Sequence, residues 1–287
     1  MAVELEVKLT LTEANLVRAT SWLAVQDGVE ALGTRTLRNC YYDTPDGSLN
    51  ERRIALRLRQ QDDQFIQTLK TKGEFSAGAH RRNEWEWSLP EAALNTDLLA
   101  DTPLADDAAL RELQPVFETN FERQIFMIHR NGTSIEVAVD NGAILAGDQV
   151  RPLHEVEFEL KSGEPEQLLL CALELAEAVP VLLNLVSKAE QGYLLAGQYR
   201  PEIPVAGDEG GPVSVNGWLS GLSIAWLRAV DYPIAQVDLS AVEAKADSLG
   251  LASQFESVNS ELSRGIPVAA VAAEPNLGLL QIQLAGG

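Results

Sequence analysis

The residues of this chain that can do chemistry are acids and bases spaced by two. Glu4, Glu6 and Lys8 alternate with Val3, Leu5, Val7 and Leu9, and a β-strand sends alternate side chains to opposite faces. The same spacing gives Arg57 and Arg59, Lys70 and Lys72, Arg82 with Glu84 and Glu86, and Glu155, Glu157 and Glu159, while Arg123, Glu136 and Asp140 fall in further strand-like runs. The cations Lys8, Arg57, Arg59, Lys70, Lys72, Arg82, Arg123 and Lys188 suit a polyanion. Guanidinium groups take phosphate oxygens in pairs and ammonium groups take them as point charges. The carboxylates Glu4, Glu6, Asp140, Glu155, Glu157 and Glu159 suit a hard divalent cation, which takes oxygen ligands and completes its shell with water and phosphate. Together the two sets describe a metal-bound chain of phosphates.

Elements must bring these groups together. Strand-like runs cover residues 35–42, 54–60, 65–72, 81–89, 121–130, 133–140 and 154–160, separated by turn signals at Thr44-Pro45-Asp46-Gly47, Gln61-Asp62-Asp63, Asn131-Gly132 and Asn141-Gly142. On an open sheet such charges simply face water. Here several runs carry one sign, which is repulsive with nothing between them, and the opposite faces (Val7, Trp85, Trp87, Phe158) need a covering layer. A closed antiparallel barrel with charge inside and helices outside resolves both, provided a ligand compensates the interior charge. Capping-box spacing at Thr10 and Glu13 starts a helix that runs toward Gly28, a second helix spans 165–179, and a third spans 182–192 and carries Lys188. Residues 201–213 have a linker's proline and glycine content. Residues 214–287 read as a helical extension with a capping box at Ser240 and Glu243, ending in small residues without a period.

Composition bounds the possibilities. The 287 residues are 46% hydrophobic and carry a formal net charge of −20, which repels nucleic acid and anionic membranes. Cys40 and Cys171 are too far apart in sequence for a disulfide framework or zinc motif, and Cys171 sits in an apolar run. His80, His129 and His154 lack ligand spacing. No basic-then-apolar leader and no run of about twenty apolar residues is present, so a soluble, cytoplasmic protein is expected.

In order along the chain, Glu4-Leu5-Glu6-Val7-Lys8, Tyr41-Tyr42-Asp43-Thr44-Pro45, Leu49, Leu56-Arg57-Leu58-Arg59, Lys70 with Lys72, Arg82 with Glu84, Glu155 to Glu159, and Ser187-Lys188 with Gly192-Tyr193 resemble the CYTH domain proteins, the triphosphate tunnel metalloenzymes. Glu-x-Glu-x-Lys alone is a weak mark, and the ordered set is a strong one. The resemblance covers roughly residues 1–200, with one departure at Gln191, where relatives often carry Arg. It implies an α+β fold, with an eight-stranded antiparallel tunnel and covering helices. It also implies hydrolysis of inorganic triphosphate, dependent on Mg²⁺ or Mn²⁺. Glu4, Glu6, Lys8, Arg57 and Arg59 would then act in catalysis, the eight cations named above would bind substrate, and the six carboxylates would bind metal. Within the family the rivals are a nucleoside or thiamine triphosphatase and an adenylate cyclase, both of which need a base-recognition element that the sequence does not reveal. The non-enzymatic alternative is a polyphosphate-binding module. The protein is expected as a monomer or homodimer. Similar bacterial proteins continue into a histidine-marked helical CHAD domain. Here the last 87 residues hold no histidine and carry three basic against ten acidic residues, as in a truncated remnant or an unrelated extension.

Overall fold

The structure, a computed structural model, describes residues 2–76 and 79–287, with the backbone alone at 2, 3, 74, 76, 80–82 and 208. Its strands are β1 (Ala2–Thr10), β2 (Val29–Asp43), β3 (Ala55–Gln61), β4 (Gln64–Lys70), β5 (Glu74–Ser76), β6 (Ala79–Leu89), β7 (Gln114–Arg130), β8 (Thr133–Ala146), β9 (Gln149–Ser162) and β10 (Leu182–Leu183). They form one antiparallel sheet in the order β10-β1-β9-β8-β7-β2-β3-β4-β6-β5, and β1 pairs with β6 as well.

Two sequence signals resolve differently. Asn131 and Gly132 both take positive φ, at 53° and 75°, and turn β7 into β8 as expected. Asn141-Gly142, expected as a turn, lies inside β8. Gly142 is there because the neighbouring strand comes close: a Cβ on it would sit 2.1 Å from the Asn120 carbonyl oxygen. The strand expected to reach residue 72 ends at Lys70, leaving Lys72 in the following loop.

Residues directly opposite in an antiparallel pair share a face. Glu6, Glu159 and Glu136 therefore form one row across β1, β9 and β8, with Lys8, Glu157 and Ala138 beside it, and Thr10, Glu155 and Asp140 next. Arg57 opposite Thr68 and Lys70 opposite Glu84 continue the face across β3, β4 and β6. The reverse face carries Val7, Phe158, Val137 and Phe126 in register, all buried.

Helices cover that reverse face. α1 (Glu13–Leu23) starts where the Thr12 side chain accepts the Asn15 N–H, and it buries Leu16, Ala19 and Leu23. It stops at Leu23 instead of reaching Gly28. α2 (Ser48–Glu51) is a single turn held by Asp43, whose carboxylate accepts the N–H groups of Thr44, Leu49 and Asn50. α3 (Glu166–Ala178) lies over β1 and β9. The helix expected from residue 182 begins only at α4 (Lys188–Leu195), with a capping box between Ser187 and Glu190. Residues 182 and 183 are used instead as a strand on β1.

The extension comprises α5 (Val215–Arg228), α6 (Ser240–Ser248), α7 (Ala252–Ser263), α8 (Val268–Val271) and α9 (Pro275–Gly286). The Ser240 side chain does not cap α6; Asp238 accepts the Ser240 N–H instead. α9 occupies the stretch expected to lack a period. It is buried on several sides, at Leu277, Gly278, Leu280, Gln281, Ile282 and Leu284, and so has no polar stripe to generate one. These helices share one continuous hydrophobic core with α1, α3 and the reverse face of the sheet. Among the described residues, no helix is long and apolar enough to cross a membrane.

Toward one end the charged face becomes apolar, at Leu37, Tyr41, Phe117, Phe121 and Ile144, and there α4 plugs it with Tyr193. Tyr41 stacks on Phe117 at 4.5 Å and Tyr193 meets Phe117 edge-on at 4.9 Å. Gly192 permits this approach, since a Cβ on it would lie 2.1 Å from the Phe117 ring. Gly192→Ala should therefore lower stability by about 2 kcal/mol through overpacking, despite alanine's better helix propensity. A Phe117→Leu partner change should recover part of that loss in denaturant titrations.

Candidate active site

The charged face bounds a cavity of about 860 Å³. Eleven of the fourteen residues selected from sequence line it: Glu4, Glu6 and Lys8 of β1, Arg57 and Arg59 of β3, Lys70 and Lys72 at the end of β4, Arg123 of β7, Glu157 and Glu159 of β9, and Lys188 of α4. Asp140 and Glu155 lie behind this lining and are fully buried. The side chain of Arg82 lies outside the described residues.

Lys188 is the centre of the first cluster. Its ammonium lies 2.9 Å from Asp140, 2.6 Å from Glu155 and 2.7 Å from Glu157. Arg123 places Nε and Nη2 on the two Asp140 oxygens at 2.7 and 2.6 Å, and Nη2 also reaches Glu157 at 2.7 Å. The Gln191 amide donates to Glu155 at 2.7 Å, so the departure from Arg at this position leaves a neutral donor on a buried carboxylate. Burial alone would raise the Glu157 carboxyl, but Lys188 and Arg123 outweigh it and hold it well below its ordinary value. For Glu155 burial wins over Lys188 and the carboxyl is raised. Burial opposes the charge on Lys188, yet its three carboxylates keep it well above the usual lysine range. Asp140 and Glu155, expected to bind metal, here anchor the cations that face the cavity.

A second cluster is short of negative charge. Arg59 donates Nε–H to Asn39 at 2.8 Å, and among the described residues no carboxylate pairs with it. Burial, with Arg57 and Arg123 nearby, pushes its guanidinium down to about 9. Arg57 donates to Thr68 at 3.0 Å and reaches Glu86 only at 3.7 Å. An anion here would relieve buried positive charge.

A third cluster gathers carboxylates. The row of Glu6, Glu159 and Glu136 puts like charges directly opposite one another, which is destabilising without cations. Lys161 meets Glu159 at 2.8 Å and Glu136 at 3.5 Å, Lys8 meets Glu6 at 3.3 Å, and Lys70 lies between Glu4 at 3.1 Å and Glu84 at 3.2 Å. Even so, burial raises the Glu159 carboxyl, with Glu4 and Glu136 adding to it against Lys161. Glu84 is raised as well, first by burial. Among the described residues no three acidic, histidine or cysteine side chains already converge as a metal site. The donor chemistry of this carboxylate row nevertheless fits a hard divalent cation.

Sequence reading missed Lys161, although it continues the spacing of Glu155, Glu157 and Glu159. It also missed Thr68 and Asn39, which share the charged face but carry no charge. The Tyr-Asp-Thr-Pro motif has a different role. Asp43 is buried and binds backbone N–H groups, fixing the turn from β2 toward β3.

Because the folded Glu157 carboxyl sits below its unfolded value near 4.5, it contributes stability above that pH and loses it as pH falls toward the folded value. Glu157→Gln should cost about 3 kcal/mol at pH 7, since Arg123 and Lys188 lose a buried partner. It should also flatten the acid limb of the stability profile below pH 4.5, as read by denaturant melts across pH.

The CYTH domain family model matches residues 2–193. A Haemophilus influenzae inorganic triphosphatase is 34% identical over 204 residues, covering 69% of this chain and 56% of that protein, so the chain spans little more than half of that relative's length. Among solved structures, HpAC1 from Hippeastrum, reported with a dominant triphosphatase activity, superposes with a TM-score of 0.50 at 21% identity, over 69% of this chain and 98% of its own. That likeness concerns the fold. The match over residues 2–193 places the chain in the CYTH domain family.

Proposed function

We propose that the protein hydrolyses inorganic triphosphate to pyrophosphate and phosphate inside this cavity, with Mg²⁺ or Mn²⁺ as cofactor. The observation that carries the reading is the pairing of a cation-rich region around Arg57, Arg59 and Arg123 with a carboxylate row on the same face. A linear polyphosphate with a divalent ion has the complementary charges. The activity of the Haemophilus relative supports the same substrate.

We further propose that the charged face is wrapped into an eight-stranded tunnel, β1-β9-β8-β7-β2-β3-β4-β6. The pairing of β6 back onto β1, from Ala2 opposite Glu84 to Glu6 opposite His80, supports this. Residues 1–200 are then the phosphate-handling domain, and 214–287 a helical extension packed against it.

In this reading Arg57, Arg59, Arg123, Lys8, Lys70, Lys72 and Lys188 hold the phosphate oxygens, and Arg82 extends the set. Arg59 is the strongest receptor because its charge is uncompensated. Lys188 and Arg123 are pre-set by Asp140, Glu155 and Glu157, so they reach the substrate without reorganising. Phosphoryl transfer needs chiefly this positioning and charge stabilisation. Glu6 and Glu159, with Glu4 and Glu136 adjacent, would hold the ion by turning from their lysine partners, and the ion would neutralise phosphate charge and activate the attacking water.

Phosphate release from inorganic triphosphate, ATP and thiamine triphosphate, each with Mg²⁺, Mn²⁺ or chelator, tests the reading. Inorganic triphosphate should be the fastest substrate, and chelator should abolish its turnover. Arg59→Gln should lower kcat/KM about 100-fold, and Glu6→Gln should remove the metal dependence together with the activity. Equal or faster ATP turnover, or turnover that survives chelation, would overturn it.

A further inference from the structure

The register leaves a seam in the cavity wall. β1 pairs with β6 only as far as Glu6 opposite His80. Beyond that point β10 takes the edge of β1, at Leu9 opposite Leu183 and Thr10 opposite Leu182, and the Asn184 N–H donates to the Lys8 carbonyl at 2.9 Å. On its other edge the start of β6 pairs with β5, Arg81 opposite Glu74 and His80 opposite Phe75, so β5 and β6 form a hairpin there. Past Glu6, among the described residues, no pairing joins the β1–β10 edge, which continues into residues 183–187, to the β5–β6 hairpin.

α5 bridges them. On one side Ser223 Oγ, fully buried, accepts the Leu185 N–H at 3.0 Å. On the other, Asn216 Nδ2 donates to the Phe75 carbonyl at 3.5 Å. From α9 the buried Gln281 amide accepts the Leu183 N–H at 3.0 Å and donates to the Leu183 carbonyl at 3.2 Å, doing for that edge what a neighbouring strand would do. Asn216 and Ser220 face the cavity itself, alongside Phe75 and Leu185.

We propose that α5 is a stave of the cavity wall, and that Asn216 and Ser220 set substrate selectivity by closing the seam to anything attached to the end of the polyphosphate. The inference rests on the triphosphate reading above and assigns to the extension a part in the site. The amide and hydroxyl are neutral, so they add little affinity for phosphate. Their effect is exclusion: a gap at the seam admits a nucleoside on a terminal phosphate, and the filled seam does not.

The test uses the full chain with Asn216→Ala and Ser220→Ala combined. Asn216 is exposed and Ser220 half-buried, and alanine favours helix, so the melting temperature should hold. The ratio of kcat/KM for inorganic triphosphate over ATP should fall about tenfold, the lower end of the scale on which small pocket changes discriminate, mainly through a lower KM for ATP. Ser220→Leu, which fills the seam further, should move the ratio the other way. Parallel changes for both substrates, or an unchanged ratio in a protein that cleaves triphosphate, would overturn the inference and leave the functional reading standing. An unsubstituted protein that neither binds nor cleaves tripolyphosphate would overturn both.

Discussion

Two cations, Lys188 and Arg123, held by three carboxylates, Asp140, Glu155 and Glu157, form the interaction on which the cavity depends. Each of these charges costs several kcal/mol to desolvate and is tolerable only when fully paired. Pairing requires that α4 deliver Lys188 to the same spot that β7, β8 and β9 reach through their register. The capping box at Ser187, the glycine at 192 and the strand at residues 182–183 all serve that delivery. The same chemistry makes the site asymmetric. Where the pairing is complete the charges are fixed in place. At Arg59, where no carboxylate among the described residues pairs with the guanidinium, the protein carries charge that a ligand can compensate.

Alternation made much of this site legible. A spacing of two needs no tertiary knowledge to assign a face, and Glu4, Glu6, Lys8, Arg57, Arg59, Lys70, Glu157 and Glu159 reach one cavity on that basis alone. Depth was not legible. Asp140 and Glu155 have the same spacing as Glu157, yet α4 covers them, and only the docked position of Lys188 separates anchoring carboxylates from exposed ones. Neutral members such as Thr68 and Asn39 gave no sign, because a polar residue on a strand is ordinary. Lys72 came to the cavity from a loop, beyond the end of β4.

The fold was read less well where a residue serves a distant neighbour. Asn141-Gly142 has a turn's composition, but Gly142 answers to the Asn120 carbonyl across the ladder. Leu182 and Leu183 look helical and are used as a strand because β1 has an open edge there. α9 lacks a period because several of its sides are covered. In each case the deciding partner is far away in sequence, and a local pattern cannot register it.

Among the described residues, ten basic side chains line the cavity against nine acidic ones, in a chain of 22 basic and 42 acidic residues. The lining is thus close to charge balance, and the surface outside it carries essentially all of the chain's net negative charge. A polyanion diffusing toward the protein meets a repulsive field first and an attractive one only inside the mouth. Dissolved ions screen the first over roughly 10 Å at ordinary ionic strength, and act less on charges held between protein walls. Added salt should thus ease approach before it loosens capture, the reverse of the behaviour of a polyanion receptor that displays its lysines and arginines on the outside.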